Sequence, residues 1–456
     1  MKITIVGAGI SGLATAQAIL GARPRADVTV YEAGQRTGGK VWTQSSPEGY
    51  LCEGGVNGFL DKLPQTLALC QELGLAPLLA DAAAQKRFIF SRQELHRLPE
   101  KPQQFLFSRL LSIPGRLRVL YEIFAAGTEQ EDESLADFAT RRLGREAFEK
   151  LIDPMASGVF AGDARAMSLQ SCFPRIHEVE AHYGSLIRGL IKLQHQARRE
   201  GRKDLPGAGP GGRLTSFAKG MSALTNRLTA VLGQRVRTAS PAVGISRSGK
   251  TWTLHLQGGV NVDTQVLILA IPAYAQAQIL RNCAADLAGL LGGIEYPPLS
   301  VVCLGYRAAH AGRFPEGFGF LVPSRERRTV LGTIVDSSVF PGRAPAGSVL
   351  LRSMVGGARN PGLAHLPDHR LIDRVKADLK DIAGVVSEPE FCRIFRHKKA
   401  IPQYRVGHAK RLTAITEVLL RHPGLVLTGN ALRGVSLNDC VANAWKTAAT
   451  LFPAAA

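Results

Sequence analysis

MKITIVGAGISGLATAQAIL (1–20) followed by VTVYEAGQRTGGKVW (28–42) carries the pattern on which the fold turns. Gly7, Gly9 and Gly12 lie between a short apolar run, 3–6, and a helix-patterned run, 13–20. A second apolar run, 28–31, leads into Glu32, twenty residues after Gly12. Strand, glycine turn, helix, strand and acid in that order bind the ADP half of a dinucleotide. Gly7 permits the tight turn, Gly9 leaves the backbone open to a pyrophosphate, and Gly12 lets the helix lie close on the sheet. The helix's free N–H groups and positive dipole end face the diphosphate. Glu32 can accept hydrogen bonds from a ribose hydroxyl.

Arg36-Thr37-Gly38-Gly39-Lys40 follows four residues later, and Glu53-Gly54-Gly55 comes after a hairpin expected around Pro47-Glu48-Gly49. A second glycine pair brings backbone to the cofactor again, unless Gly38-Gly39 is only a flexible turn. The pattern resembles FAD-binding oxidases of the amine-oxidase superfamily more than nicotinamide dehydrogenases.

A chain of 456 residues is too long for one core, so two or three domains are expected. Its composition, 45% hydrophobic and 20% charged, is globular. No apolar run approaches the ~18 residues that span a bilayer, and the N-terminus opens directly into a strand rather than a signal peptide. Seven scattered cysteines without a CxxC argue against metal ligation and a disulfide framework and suit a reducing cytoplasm. The net charge of +19 favours anionic partners. Nucleic acid fits poorly, because no recognition module is evident.

Helical spacing recurs at 64–75, and a hairpin is expected from 88–90 and 95–98. In QQFLFSRLLSIPGRLRVLYEIFAA (103–126), Phe105, Leu106, Arg109, Leu110 and Ile113 share one face. Leu117, Leu120, Tyr121 and Phe124 share another. Eight Lys/Arg against two Glu between Gln85 and Arg118 make this region basic. Such a pair of helices suits a membrane interface or packing against the rest of the protein; the overall charge favours the membrane surface. The acidic stretch 129–133 leads into a helix start at Ser134, and helices are expected through 160. A loop is expected over 204–213 and a helix after Gly220-Met221. From 251 the period becomes two, with a hairpin at Gly258-Gly259 and a buried strand ending at Pro272. Several strands over 299–355 read as an antiparallel sheet, and 369–385 as a helix. The chain closes with a strand at 425–428 and a helix from about Asn438. That helix's N-terminus could face a flavin, or the segment could be an ordinary αβ closing unit.

Several segments together resemble the oxygen-dependent protoporphyrinogen oxidases of haem synthesis over nearly the whole chain. They are RTGGKVWT, YLCEGGVNGFL, LIDPMASGVFAGD, LQSCFPR, YPPLSVVCLGY, GFGFLVPSRE, LGTIVDSSVFPGRAP, IPQYRVGH and GNALRGVSLNDCV. The fold class implied is α/β (α+β overall): a Rossmann-like FAD-binding domain, an antiparallel-sheet substrate domain and a helical membrane-binding insertion. The resemblance distributes the FAD-binding domain over 1–85, 206–275 and 401–456. It makes 86–205 the mainly helical insertion and 276–400 the substrate domain.

By matching motifs, FAD would be held by Gly7, Ala8, Gly9, Ile10, Ser11, Gly12, Glu32, Ala33, Gly38, Gly39 and Lys40. The turn Gly55, Val56, Asn57, Gly58 would join them, with Ala242 at the adenine end and Asn430, Val435, Ser436 and Leu437 along the flavin. Some relatives carry Arg in the 55–58 turn where this chain has Asn57, so no propionate contact is assigned there. Gly158, Phe160, Leu321, Val339 and Met354 are candidates to line an apolar substrate pocket, although ordinary sheet core explains the last three equally well.

The implied reaction, oxidation of CH–CH groups with oxygen as acceptor, moves hydride from the methylene bridges of a porphyrinogen to FAD and on to O2, giving H2O2. It requires no dedicated acid–base residue and no metal. His408 reads as structural. Coproporphyrinogen III is the alternative substrate. An amine oxidase or desaturase is a further alternative, but an amine oxidase would show an aromatic pair where this chain has Leu432 and Leu437. A non-catalytic flavin-binding scaffold at a membrane surface is the last. Expected partners are the porphyrinogen, O2 and the cytoplasmic face of the inner membrane, with a second copy of the chain and the next haem-pathway enzyme as further candidates.

Overall fold

Strand Lys2–Val6 pairs in parallel with Asp27–Tyr31 on one side and Val266–Leu269 on the other. Val236–Arg237 and Leu425–Leu427 complete a five-stranded parallel sheet. Ile5 stands opposite Val30 and Ile268, and Ile268 opposite Val426. Parallel strands covered on both faces are apolar throughout, and that is the composition of these runs. Helices Ile10–Ala22, Ser222–Leu232 and Leu437–Leu451 cover one face, with Ile3, Ile5, Leu13, Leu228 and Val441 in the shared core. Trp252 and Leu254 of a small antiparallel sheet cover the other, with helices Ala273–Leu280, Ala285–Gly292 and His408–Leu419. The computed structural model describes residues 1–99, 102–128, 130–201, 211–312 and 314–453. Glu129 of the acidic stretch and 204–210 of the expected loop lie outside them.

A seven-stranded sheet forms the second unit, in the order Phe391–His397, Leu299–Arg307, Ser348–Gly356, Val330–Val335, Gly319–Leu321, Arg87–Ser91, Glu94–Arg97. Its pairs are antiparallel except Gly319–Leu321 with Arg87–Ser91. Strand alternation gives it two faces. Val302, Leu304 and Leu351 pack with Leu371, Val375 and Leu379 of helix Asp368–Ala383. Val301, Cys303 and Leu350 pack against Tyr50 and Cys52 of the hairpin that follows the glycine pair. The strands at 87–97 come from the stretch expected to be mainly helical. Phe88 and Phe90, buried in the sheet core, place the hairpin at this sheet's edge.

The helical unit contains Leu135–Leu143, capped by Ser134, then Asp153–Phe160 after a π-turn at Phe148–Ile152, then Pro174–Tyr183 and Leu186–Arg199. Helix Ile113–Leu120 is attached to it in an inverted sense: none of its residues is buried. Its start is bound by Glu146 through Ser112, and Arg118 donates to the carbonyls of Arg141 and Arg142. Just beyond, the fully buried Glu122 accepts from Ser185 Oγ at 2.7 Å and from the backbone N–H of Leu186 at 2.8 Å. Polar groups therefore face inward, while Phe107, Ile113, Leu117, Tyr121 and Phe124 stand 58–85% exposed. An ordinary surface helix does the opposite.

Candidate cofactor and substrate site

The three fingerprint glycines occupy different surroundings. Gly7 has φ +103° and donates its N–H to Tyr31 O at 2.7 Å. A Cβ on Gly12 would lie 1.9 Å from Gly7 O, so the helix sits directly on the turn. Gly9 is extended, and the nearest atom to an added Cβ would be Gly39 Cα at 4.0 Å. Beside Gly9, which caps the N-terminus of helix Ile10–Ala22, no other atom beyond its chain neighbours comes within 4 Å of that position. Gly38 N–H donates to Ala8 O at 2.7 Å, so the second glycine pair is fixed against the first loop.

Glu32 Oε2 accepts from Ala8 N at 2.8 Å and Oε1 from Gly34 N at 3.0 Å. The carboxylate is thereby oriented and keeps lone pairs for a ribose hydroxyl. Ser240 N donates to Glu32 O and Ala239 N to Gly34 O, which brings the strand beginning at Ala242 alongside Glu32 and the exposed Ala33. Lys40 lies inward, with Nζ bonded to Ala400 O and 5.1 Å above the Tyr296 ring. It makes no ion pair among the described residues, and burial pushes its pKa down to about 8. A buried cation lacking a carboxylate, the open cradle at Gly9 and the oriented acid fit an anionic dinucleotide.

The 55–58 turn lies on Lys40: a Cβ on Gly55 would meet Lys40 O at 2.1 Å. Gly54 O bonds to His397 Nε2 at 2.6 Å and Gly55 O accepts from Arg352 Nη1 at 3.2 Å. The polar atoms of Asn57 are buried beside the Asp336 carboxyl; Val56 packs on the nucleotide-binding core. Before the turn, the fully buried Glu53 accepts from Met221 N and Thr43 Oγ1, each at 2.7 Å. Burial raises its pKa to about 7.

The C-terminal segment closes the same region. A Cβ on Gly429 would lie 3.6 Å from Ser11 Oγ. Asn430 O accepts from Tyr404 OH at 2.5 Å. His408, buried and stacked on Tyr404 at 4.3 Å, bonds to Leu432 O at 3.0 Å, so its position is structural. Val435 packs on the helical unit and Leu437 on the nucleotide-binding core. Ser436 and Asp439 form a capping box at the start of helix Leu437–Leu451. Cys440, in the first turn of that helix, lies beside Ser11.

Of the five pocket candidates, three meet. Leu321 stands opposite Gly332, and Gly332 opposite Met354, so all three share one row and one face of the sheet. A Cβ on Gly158 would lie 2.5 Å from Leu321 Cδ2, which places helix Asp153–Phe160 over that row. Phe160 points instead into the helical core, on Phe173 at 5.8 Å. Val339 is fully buried in a separate cluster with Ala80, Ala84 and Phe340.

Gly332, Arg352 and Asp336 were not among the sequence candidates. An arginine inside the apolar run SVLLRSMVG was the available signal. Arginines close to this face are paired: Arg352 with Asp336 at 3.1 Å and Arg359 with Asp153 at 2.8 Å; Arg343 lies 3.7 Å from Glu53.

The flavin containing amine oxidoreductase family matches residues 10–451 of the chain. A chloroplastic protoporphyrinogen oxidase of Oryza sativa subsp. japonica is 35% identical, over 98% of this chain and 87% of its own. Coproporphyrinogen III oxidase of Bacillus subtilis (strain 168) is 30% identical, over 96% and 95%. A solved structure from Exiguobacterium sp. 255-15 superposes with TM-score 0.82 at 28% identity, covering 99% of this chain and 98% of that one.

Proposed function

Because the chain belongs to the flavin containing amine oxidoreductases, and among them to the porphyrinogen oxidases, we propose that this FAD-dependent enzyme of haem biosynthesis oxidises protoporphyrinogen IX to protoporphyrin IX at a membrane surface. When bound, FAD would supply the redox chemistry, a two-electron acceptor for hydride from a methylene bridge of the macrocycle with O2 as final acceptor giving H2O2. The chain's own residues hold and orient. The cradle at Gly9 and the N–H groups at the start of helix Ile10–Ala22 receive the diphosphate, Glu32 the ribose, and Lys40 an anionic part of the cofactor. The 55–58 turn and 430–437 would enclose the flavin ring. Electron-rich pyrroles stabilise the cation left when hydride departs, so placing the carbon and excluding water suffices, and no side chain is assigned as acid or base.

The choice between the two porphyrinogens rests on one observation. The row Leu321, Gly332, Met354 beneath Gly158 is apolar, and Arg352 and Arg359 beside it are already paired with Asp336 and Asp153. A neutral, apolar floor suits a macrocycle with vinyl groups and two propionates better than one with four carboxylates. The outward apolar face of helix Ile113–Leu120 supports peripheral association with the cytoplasmic face of the inner membrane. No helix among the described residues is long and apolar enough to cross a membrane.

The test is turnover of both porphyrinogens, side by side, with and without anionic vesicles. Faster oxidation of protoporphyrinogen, increased by vesicles, is expected. A preference for coproporphyrinogen III in the absence of lipid overturns the substrate assignment. A yellow protein that neither porphyrinogen bleaches without air would be a scaffold.

A further inference from the structure

Strand Ser348–Gly356 contains one charged side chain, and it is buried: Arg352 is 3% exposed. Its Nε lies 3.1 Å from Asp336 Oδ2 and its Nη1 donates to Gly55 O at 3.2 Å. Asp336 is fully buried and begins the short helix Asp336–Val339, directly after the strand that carries Gly332. Arg352 is two residues from Met354 and so lies on the same sheet face. One guanidinium therefore joins three pieces: the turn at 55–58, the segment of Gly332 and the strand of Met354. A second buried pair, Arg343 and Glu53, borders it. Arg343 Nη2 donates to Ser216 Oγ at 2.7 Å, whereas its Nε and Nη1 are unpartnered. Asn57 and Cys303 are the other polar neighbours of Asp336 and Arg352.

Burying an ion pair in a strand is a poor way to gain stability, since apolar residues of similar volume usually do as well or better. The pair is, however, well placed to fix a distance. An arginine's planar fork holds two partners in set directions, which a lysine cannot. We propose that Arg352, held by Asp336, is a positioning residue that sets the spacing between the cofactor turn and the substrate row. This rests on the cofactor and substrate assignments made above. The acidic partner keeps the guanidinium from acting as a propionate ligand, so its role is exerted through Gly55.

The test compares Arg352→Lys, Arg352→Met and the double variant R352M/D336L with the wild-type protein. Thermal unfolding, FAD affinity by fluorescence, the flavin absorption spectrum and anaerobic bleaching by protoporphyrinogen are measured. R352K is expected to melt near the wild type and to bind FAD with an altered absorption band. Its bleaching rate should fall about tenfold to a hundredfold, the size of loss that small misplacements cause, with KM little changed. R352M/D336L should regain stability lost in R352M without regaining the rate. Wild-type bleaching in R352M/D336L overturns the inference, as does a rate loss fully accounted for by lost FAD. If no porphyrinogen bleaches the FAD-loaded wild type, the functional reading fails. The inference is then decided by R352K alone: an unchanged absorption band and FAD affinity overturn it.

Discussion

Ser112 and Glu146, thirty-four residues apart, bond twice: Ser112 N–H to Oε1 at 3.0 Å and Ser112 Oγ to Oε2 at 2.5 Å. The same carboxylate accepts from the buried Lys150 at 2.7 Å. One acid thus fastens the start of helix Ile113–Leu120 to the helical unit, leaving the helix's apolar residues outside.

Burial acts to raise the pKa of Glu146, but the hydrogen bonds from Lys150 and Ser112 outweigh it and hold the group at about 2. A depressed carboxylate stabilises the fold above its unfolded pKa, near 4.5, and that contribution is lost as pH falls through about 2. Glu146→Ala leaves Lys150 buried and unpaired. Urea denaturation at neutral pH should show a loss on the order of 3 kcal/mol. An unchanged midpoint would mean that the acid does not fasten the helix.

Leu117→Asp combined with Phe124→Asp alters only exposed positions. Unfolding free energy should stay within about 0.5 kcal/mol of wild type. Cosedimentation with anionic vesicles should drop at least about tenfold, since two apolar anchors are lost and two charges of the wrong sign gained. Equal cosedimentation would remove this face from the membrane reading.

Gly9 and Gly12 should respond oppositely to alanine. At Gly9 the backbone is extended and the added methyl meets nothing within 4 Å except Gly39 Cα, at 4.0 Å. The apoprotein should melt normally while FAD binding weakens. At Gly12 the methyl collides with Gly7 O at 1.9 Å, so soluble folded protein should be lost. Calorimetry of the apoproteins and FAD titration separate the two outcomes.

Glu53 supplies the opposite pH sign. Its folded pKa, about 7, lies above the unfolded value of 4.5. Stability from the bound proton is full below 4.5 and is lost as pH rises through about 7. Glu53→Gln removes that titration. Between pH 5 and 8 the wild type should lose stability relative to Glu53→Gln by on the order of 2 kcal/mol, read from urea midpoints. Parallel pH profiles would contradict it.

Met354→Arg places an uncompensated cation in the apolar row. The KM for coproporphyrinogen III should fall relative to that for protoporphyrinogen by about tenfold, the worth of one charge-assisted hydrogen bond. No change in the ratio would show that Met354 does not face the substrate.

The nucleotide-binding half was legible because its signals are local. A glycine's steric role, an apolar run and an acid twenty residues on are each read within one βαβ unit. The capped helix start at Ser134 and the strands of 299–355 were legible for the same reason. Long-range pairing was not. Phe88 and Phe90 announce a strand, but nothing in their neighbourhood says that it joins Gly319–Leu321. The direction of helix Ile113–Leu120 was open because its polar anchors, Glu146, Arg141 and Arg142, lie elsewhere in the chain. Arg352 and Asp336 are 16 positions apart in different elements, and the pairing of strand Val330–Val335 with Ser348–Gly356, Ile334 opposite Arg352, brings them together. Val339 followed an apolar pattern that core packing with Ala80 and Ala84 explains fully.

Leu425–Leu427 fills the last edge of the parallel sheet, and helix Leu437–Leu451 seals the hydrophobic side of Ile10–Ala22. A ribosome makes strand Leu425–Leu427 about 160 residues after the strand it pairs with, and helix Leu437–Leu451 more than about four hundred residues after the helix it covers. During synthesis, strand Val266–Leu269 presents a bare edge and the first helix an uncovered flank, both prone to misassociation. Nascent chains of this enzyme should therefore depend on chaperones until residues 425–451 emerge.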